Sequence, residues 1–212
     1  GIKKIDVIAL SHAHSDHMGG LAAVIRNFQI GEFWHGPTPP TPAYDALMRQ
    51  AARQGILTRQ VAAGDRISLG GALVEVLWPP RDRPLTSAPS NDDSLVMRVS
   101  AGEAAVLLTG DISQEVEGEL VRSGARLKST VLKVAHHGSK NSSSAEFLTC
   151  VGASEALIGS EGGTQVGLPA VMPLDRLKAA GAHTLQTDLQ GAVTANLSGS
   201  RLTTHAYGRP GE

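Results

Sequence analysis

The chain is 212 residues long, with 41% hydrophobic and 18% charged residues, which suits one large or two small globular domains and excludes a disordered chain. Lys+Arg is 19 against Asp+Glu 20, a formal net charge of -1, so attraction to nucleic acid has to come from a local patch. Aromatic content of 3% argues against base-stacking platforms, and the lone Cys150 excludes an intrachain disulfide or a thiolate-rich metal site. Cys150 sits in the apolar run Phe147-Leu148-Thr149-Cys150-Val151 and is expected to be a small core residue. No run approaches the roughly 18 apolar residues of a membrane span. Lys3, Lys4 and Asp6 near the start argue against a signal peptide, so the chain by itself assigns no compartment.

In chain order the pattern alternates strands and helices within one domain, residues 1–212. Ile5–Leu10 is a short apolar, β-branched segment, expected to be a mostly buried strand. It runs into Ser11-His12-Ala13-His14-Ser15-Asp16-His17, followed by a helix over Met18–Phe28 in which Gly19 and Gly20 allow a tight turn. A proline loop (36–42) precedes a helix over Ala43–Gln54 that stops at Gly55. Strands follow at Leu57–Ala62 and Ala72–Leu77, then a long loop from Trp78 to Asn91. A hairpin is predicted from Ser94–Val99 and Ala104–Thr109, a helix from Gln114–Ser123, and a strand from Thr130–Ala135. Ala156–Gly159 (strand), Leu174–Ala180 (helix) and a hairpin of Val193–Leu197 with Arg201–His205 complete the chain. Three strand ends thus deliver His or Asp.

Those residues carry the chemistry. Of eight histidines, five fall in two short segments: His12, His14 and His17, then His136 and His137. Residues two apart in an extended segment point the same way, so His12 and His14 can face one ion. Asp16 and His17, around the turn, face a second position. Asp111, behind Gly110 at a strand end, is placed to bridge two ions, although alone it could cap the next helix. Imidazole nitrogen and carboxylate oxygen suit Zn²⁺, or Mn²⁺ and Fe where oxygen dominates. Two such ions about 3.5–4 Å apart stabilise the entering and leaving oxygens of a displacement. The strand-end pair leaves open whether His136 or His137 ligates. Lys133 and Lys140 can counter charge on a phosphate, and Ser139 with Ser142, Ser143 and Ser144 forms a polar loop that contacts substrate or caps a helix. His35, His183 and His205 read as ordinary residues.

Ser11-His12-Ala13-His14-Ser15-Asp16-His17-Met18-Gly19-Gly20 resembles the His-x-His-x-Asp-His signature of the metallo-β-lactamase superfamily, and Asp111 in Leu107-Leu108-Thr109-Gly110-Asp111 resembles its bridging aspartate. The chain is more closely similar to the C-terminal metallo-β-lactamase-like domain of the ComEC competence proteins. That likeness runs through Ala63-Gly64-Asp65, Val76-Leu77-Trp78-Pro79, Asn91-Asp92-Asp93-Ser94-Leu95-Val96, Val131-Leu132-Lys133-Val134-Ala135-His136-His137-Gly138-Ser139, and Thr187-Asp188 with Gly191. His137-Gly138-Ser139 resembles the His-x-Ser of phosphodiesterase relatives, which favours His137 as ligand. The resemblance implies an α/β fold, an αββα sandwich with metals at one edge, that lacks its first N-terminal strands in this chain. It implies two divalent metal ions, Zn or Mn, held by His12, His14, Asp16, His17, Asp111 and His137 or His136. Asp16, Asp111 and Lys133 are the implied catalytic residues, with Asn91, Ser94, Ser139 and Lys140 toward the substrate. The implied activity is phosphodiester hydrolysis of DNA during its uptake, in an extracytoplasmic domain of a bacterial membrane protein whose channel is absent from this chain.

Departures from the family pattern are specific. The region between signature and bridging aspartate offers Asn91, Asp92, Asp93 and Ser94 in place of a further histidine. Val166-Gly167-Leu168-Pro169 stands where the branch carries a Tyr-Gly-His-Pro-like segment, and Leu168 can neither bind metal nor donate a proton. Two other readings stay open: an ester, thioester or lactone hydrolase of the same fold, and a non-catalytic module that binds metal or DNA.

Overall fold

The computed structural model describes residues 1–160, 167–198 and 201–208. In chain order the elements begin β1 (Lys4–Leu10), α1 (Ser15–Met18), α2 (Leu21–Asn27), β2 (Gln29–His35), α3 (Pro42–Arg53), β3 (Leu57–Gln60), β4 (Arg66–Leu69) and β5 (Ala72–Trp78). After a short 3-10 turn over Asn91–Asp93 come β6 (Val96–Ala101), β7 (Ala104–Leu108), α4 (Gln114–Arg122) and β8 (Val131–Lys133). A second 3-10 turn, Ala135–Gly138, leads to α5 (Ala145–Val151), β9 (Glu155–Ile158), α6 (Val171–Ala179), β10 (His183–Gln186), α7 (Thr187–Gln190), β11 (Val193–Ser198) and β12 (Arg201–Ala206).

Four layers result. β1, β2 and β3 form a parallel three-stranded sheet, and a seven-stranded mixed sheet runs β10-β9-β8-β7-β6-β5-β4. Between the sheets, Trp34 of β2 packs with Val74 and Val76 of β5 and Met97 of β6, and Val7 of β1 leans on the same cluster. Outside the small sheet, Ile25 of α2 and Tyr44, Leu47 and Ala51 of α3 close over Ile8, Leu10 and Phe33. Outside the large sheet, Val116 and Leu120 of α4, Phe147 and Leu148 of α5 and Leu177 of α6 cover Leu107, Leu132 and Ile158. This is the αββα sandwich that the sequence resemblance implies.

Local chemistry sets several boundaries. Thr41 caps α3 by accepting from Tyr44 N–H at 3.1 Å, Pro42 occupies the first turn, and Gly55 ends it at φ 67°. The helix expected over Met18–Phe28 is α2, shortened to Leu21–Asn27 and preceded by the separate single turn α1, and β2 follows at once. Phe33 and Trp34 are both buried, so tertiary packing extends that aromatic segment as a strand. The strand expected to reach Ala135 stops at Lys133, where the chain turns to present two histidines. β1 is less buried than expected, with only Ile8 and Leu10 fully covered. Cys150 is corrected from core to surface: α5 buries Phe147, Leu148 and Val151, and Cys150 faces solvent from the other side.

Phe33 is 0% exposed at the middle of the small-sheet core. Phe33→Ala is expected to lower unfolding free energy by about 3–5 kcal/mol through lost transfer energy and a residual cavity, read from urea midpoints at unchanged slope.

Candidate metal centre

Three chain segments converge where strands of both sheets end. The first leaves β1: Leu95 N–H donates to Ser11 O at 2.8 Å, tying that strand end to the start of β6. His12 is 1% exposed, its Nδ1 3.2 Å from Ser94 Oγ, and its Nε2 3.0 Å from His14 Nδ1. His14 Nε2 reaches Pro89 O at 3.1 Å. α1 then turns Asp16 and His17 back toward the sheet, its carbonyl at His14 accepting from His17 N–H and Met18 N–H at 3.1 and 2.9 Å. Ser11 Oγ lies 3.0 Å from His17 Nδ1, which directs Nε2 onto Asp111 Oδ2 at 3.1 Å.

The second segment is the end of β7. Gly110 has φ 53°, and a Cβ there would stand 2.6 Å from Ser94 Oγ, so only glycine lets Asp111 arrive at this depth. Asp111 N–H donates to Ser94 Oγ at 2.9 Å. One hydroxyl therefore positions both Asp111 and His12. Asp111 is 3% exposed, and its Oδ1 is buried without a hydrogen-bond partner among the described residues.

The third segment follows β8. His136 and His137 take left-handed conformations at φ 48° and 52°, which cost non-glycine residues of order 1–3 kcal/mol each and cluster at functional sites. The turn is pinned by His136 N–H to Gly110 O at 3.2 Å and Ser139 N–H to His136 O at 2.8 Å. His137 Nδ1 lies 2.7 Å from Gly159 O, a contact in which it donates, leaving Nε2 to face Asp111 Oδ2 and Asp16 Oδ2 at 3.6 and 3.8 Å. Gly159 is itself held from behind. Thr187 Oγ1 accepts from Ser160 N–H and donates to Ser160 O, both at 2.9 Å, and Ser160 Oγ donates to Asp188 Oδ1 at 2.5 Å.

Asp16, His17, Asp111 and His137 bring one ligand atom each within 4.8 Å of one another. The donor set is two imidazole nitrogens and two carboxylate oxygens, which suits Zn²⁺ or Mn²⁺. The partnerless Oδ1 of Asp111 fits the same reading, because a buried carboxylate oxygen without a donor is costly unless a cation meets it. His12 and His14 stand beside this group, the His12 ring centroid 4.2 Å from that of His17. His136 turns away from the four donors, with Nε2 3.3 Å from Asn91 Nδ2.

The remaining expected residues separate. Ser94 is 0% exposed and serves Asp111 and His12 rather than the surface. Lys133 Nζ donates to Val134 O at 2.9 Å and packs beside Gly159. Ser139 is buried and its Oγ accepts from Asn141 N–H at 3.3 Å, whereas Lys140 is exposed. Ser142 and Ser143 are buried, and Ser144 caps α5. Leu168 lies at the edge of the described residues, and Val166 lies outside them. Sequence reasoning did not assign the hydroxyl bridge at Ser94 or the Thr187–Asp188 clamp a part in positioning ligands. Both lie in segments already singled out for their family likeness.

Electrostatics here are coupled. Burial, with His17 nearby, lowers His12 from its ordinary 6.5 to about 4. Asp111 would be raised by burial, but its hydrogen bond and ionic attraction to His17, with His137 and His12 behind, hold it at about 2. His17 is raised, chiefly by that bond to Asp111. Burial lowers Lys133 against the opposing pull of Asp111.

Residues 1–160 match the sequence pattern of the metallo-beta-lactamase superfamily. The chain belongs to that superfamily. It is 30% identical over 194 residues to ComE operon protein 3 of Bacillus subtilis, covering 91% of this chain and 25% of that protein. Over 198 residues it is 34% identical to Competence protein ComA of Neisseria gonorrhoeae, covering 93% of this chain and 26% of that one. The chain thus spans about a quarter of the length of these curated relatives. Among solved structures, CmlA, a diiron beta-hydroxylase from Streptomyces venezuelae, superposes with TM-score 0.58 at 13% identity, covering 97% of this chain and 45% of that one. YhfI from Bacillus subtilis, a metallo-beta-lactamase fold protein, gives 0.53 at 14% identity, covering 86% and 74%. These two likenesses concern the fold.

Metal titration of the purified chain should separate the two adjacent histidines. His137→Ala and Asp111→Asn are expected to weaken binding by at least tenfold, and His136→Ala by less than threefold, measured by calorimetry with Zn²⁺ and Mn²⁺. In the metal-free chain, unfolded His12 binds a proton below 6.5 that the folded form refuses until about 4. Stability from this residue is present above 6.5 and lost as pH falls toward 4, a contribution of the order of 3 kcal/mol. His12→Asn should flatten the fall in urea midpoint across that window. Asp111 adds a second loss between about 4 and 2, and the raised His17 opposes the His12 trend by favouring the folded state at lower pH.

Proposed function

We propose that this centre hydrolyses phosphodiester bonds, with DNA as substrate and two divalent ions, Zn²⁺ or Mn²⁺, as cofactors. The observation that carries the reading is the converging donor set of Asp16, His17, Asp111 and His137, with Asp111 Oδ1 buried and partnerless, in a chain similar to competence proteins. Asp16, His17, Asp111 and His137 would hold one ion, and His12 and His14 beside them would contribute to a second. Bound ions would supply water activated near neutral pH and neutralise charge on the phosphate.

The chain's own residues supply the rest. Asp16 is exposed and opens the centre to solvent, so its side of the cluster is where substrate arrives. Asn91 and His136, 3.3 Å apart and both half-buried, offer an amide and an imidazole at the rim for phosphate contact and for a proton at the leaving oxygen. Lys133 uses one proton on Val134 O, which leaves two donors on its amine to attract a phosphate oxygen beside Asp111. Deeper contacts hold the ligands still: Ser94 fixes Asp111 and His12, and Gly159 fixes His137. The similarity to competence proteins also supports placing this domain in a larger membrane-associated protein, facing outward, where incoming DNA meets it. Among the described residues no helix is long and apolar enough to cross a membrane.

The test is cleavage of linear single-stranded and duplex DNA with added Mn²⁺ or Zn²⁺, beside p-nitrophenyl phosphodiester and thioester substrates. Metal-dependent DNA and phosphodiester cleavage is expected, falling at least 10²-fold in Asp111→Ala. Thioester turnover without phosphodiester turnover would assign another hydrolase chemistry. DNA or metal binding with no turnover in either protein would assign a binding module.

A further inference from the structure

Far from the metal centre, the large sheet carries a charge surplus that the ligands do not use. Glu75 of β5 is 5% exposed and lies 3.0 Å from Arg98 Nη1, 3.2 Å from Arg66 Nη1 and 3.8 Å from Arg126 Nη1. One carboxylate cannot neutralise three guanidiniums. Arg98 is itself only 4% exposed; its Nε donates to Lys128 O at 2.9 Å, which leaves Nη2 for the cavity that it lines. Arg126 and Lys128 are exposed, and among the described residues Lys128 makes no ion pair.

These side chains surround a cavity of about 320 Å³, lined by Arg98, Glu103, Arg126, Lys128, Ser129 and Thr130. Its place in the fold follows from those residues. Ser129 and Thr130 precede β8 and Glu103 precedes β7, whereas Asp111, His136 and His137 follow the same strands. The cavity therefore opens at the sheet edge opposite the metal centre. Counting Arg66 and Glu75 beside it, four cationic side chains face two carboxylates, in a chain whose net charge is -1. The lining has no aliphatic or aromatic side chain, so its specific contacts come from charged and hydroxyl groups. It offers donors instead. Two guanidiniums and an ammonium suit a tetrahedral oxyanion, and Thr130 Oγ1 accepts from Ala105 N–H at 3.2 Å, which keeps its own proton to give.

We propose that this cavity binds a phosphate group, carried by a free mononucleotide or by a nucleic-acid strand, at a site separate from the metal centre. The buried Glu75–Arg98 pair is the fixed floor, and Arg126 and Lys128 are the arms that close on the anion. Recognition rests on charge and oxygen geometry, so it is independent of base identity. Nothing in it depends on hydrolysis.

The test uses the metal-free full chain, titrated calorimetrically with inorganic phosphate and a thymidine mononucleotide, and by anisotropy with a labelled oligothymidylate. Arg126→Ala/Lys128→Ala is compared with Lys3→Ala/Lys178→Ala, which removes equal charge from exposed lysines elsewhere, and with Asp111→Ala; thermal melts check that each variant folds. Saturable binding is expected, weakened at least tenfold in Arg126→Ala/Lys128→Ala and less than twofold in the other two variants. Oligonucleotide binding should also lose about 1–2 from its logarithmic salt slope. Mononucleotide binding without oligonucleotide binding assigns the free nucleotide, and the reverse assigns the strand. The proposal fails if no phosphate probe saturates, if the control lysine pair costs as much, if succinate competes as well as phosphate, or if only Asp111→Ala abolishes binding.

Discussion

The hydrogen bond from Leu95 N–H to Ser11 O joins the two sheets at the place where the candidate metal-binding side chains emerge. Hydrophobic contact between the sheets is non-directional and would tolerate sliding. The backbone bond is directional and fixes β1 against β6 at one register. Ser94, adjacent to that bond, then spends its single hydroxyl on both sides of the sandwich: it accepts from Asp111 N–H on the large sheet and meets His12 Nδ1 from the small one. The centre is therefore assembled between the sheets and not on either one. Its precision depends on one buried serine and on the glycine that leaves room for it.

Electrostatic tension accumulates around that junction. Four imidazoles and two carboxylates lie close together, and the molecule resolves the conflict by dividing roles. His12 is driven neutral by burial, while His17 and Asp111 support each other's charged forms. Oδ2 of Asp111 is satisfied by His17, and Oδ1 faces an unmet electrostatic demand. A divalent cation would meet that demand and draw both raised and lowered histidines into one neutral, ligating state. The strained pair His136–His137 belongs to the same economy of geometry, since two left-handed residues in succession turn one imidazole inward and the other toward Asn91.

Much of this is legible in the sequence. The histidine-aspartate segment, Gly110-Asp111 and the His136-His137 pair are local patterns, and local patterns survive in sequence. They carry the resemblance to the superfamily, and the layered fold is what that resemblance implies. What sequence did not yield was set by tertiary packing. β2 was missed because its strand character comes from Phe33 and Trp34 being buried on two sides. Cys150 was misplaced because an apolar neighbourhood in sequence says little about which face of α5 it occupies. The choice between adjacent histidines turns on backbone conformation, which no spacing rule encodes. Ser94, expected toward substrate, lies fully buried because the polar residue that a motif contains need not be the one that solvent reaches.

The clamp of Thr187 and Asp188 on Ser160 reaches well beyond its own neighbourhood. It grips the chain one residue after the carbonyl that aims His137, so the start of α7 acts as a rear support for a centre to which it lends no side chain. A truncated chain ending after β9 would retain Asp16, His17, Asp111 and His137 and still let the Gly159 carbonyl drift. The boundary of the smallest working unit is thus set by mechanical bracing, several dozen residues past the final histidine of the centre.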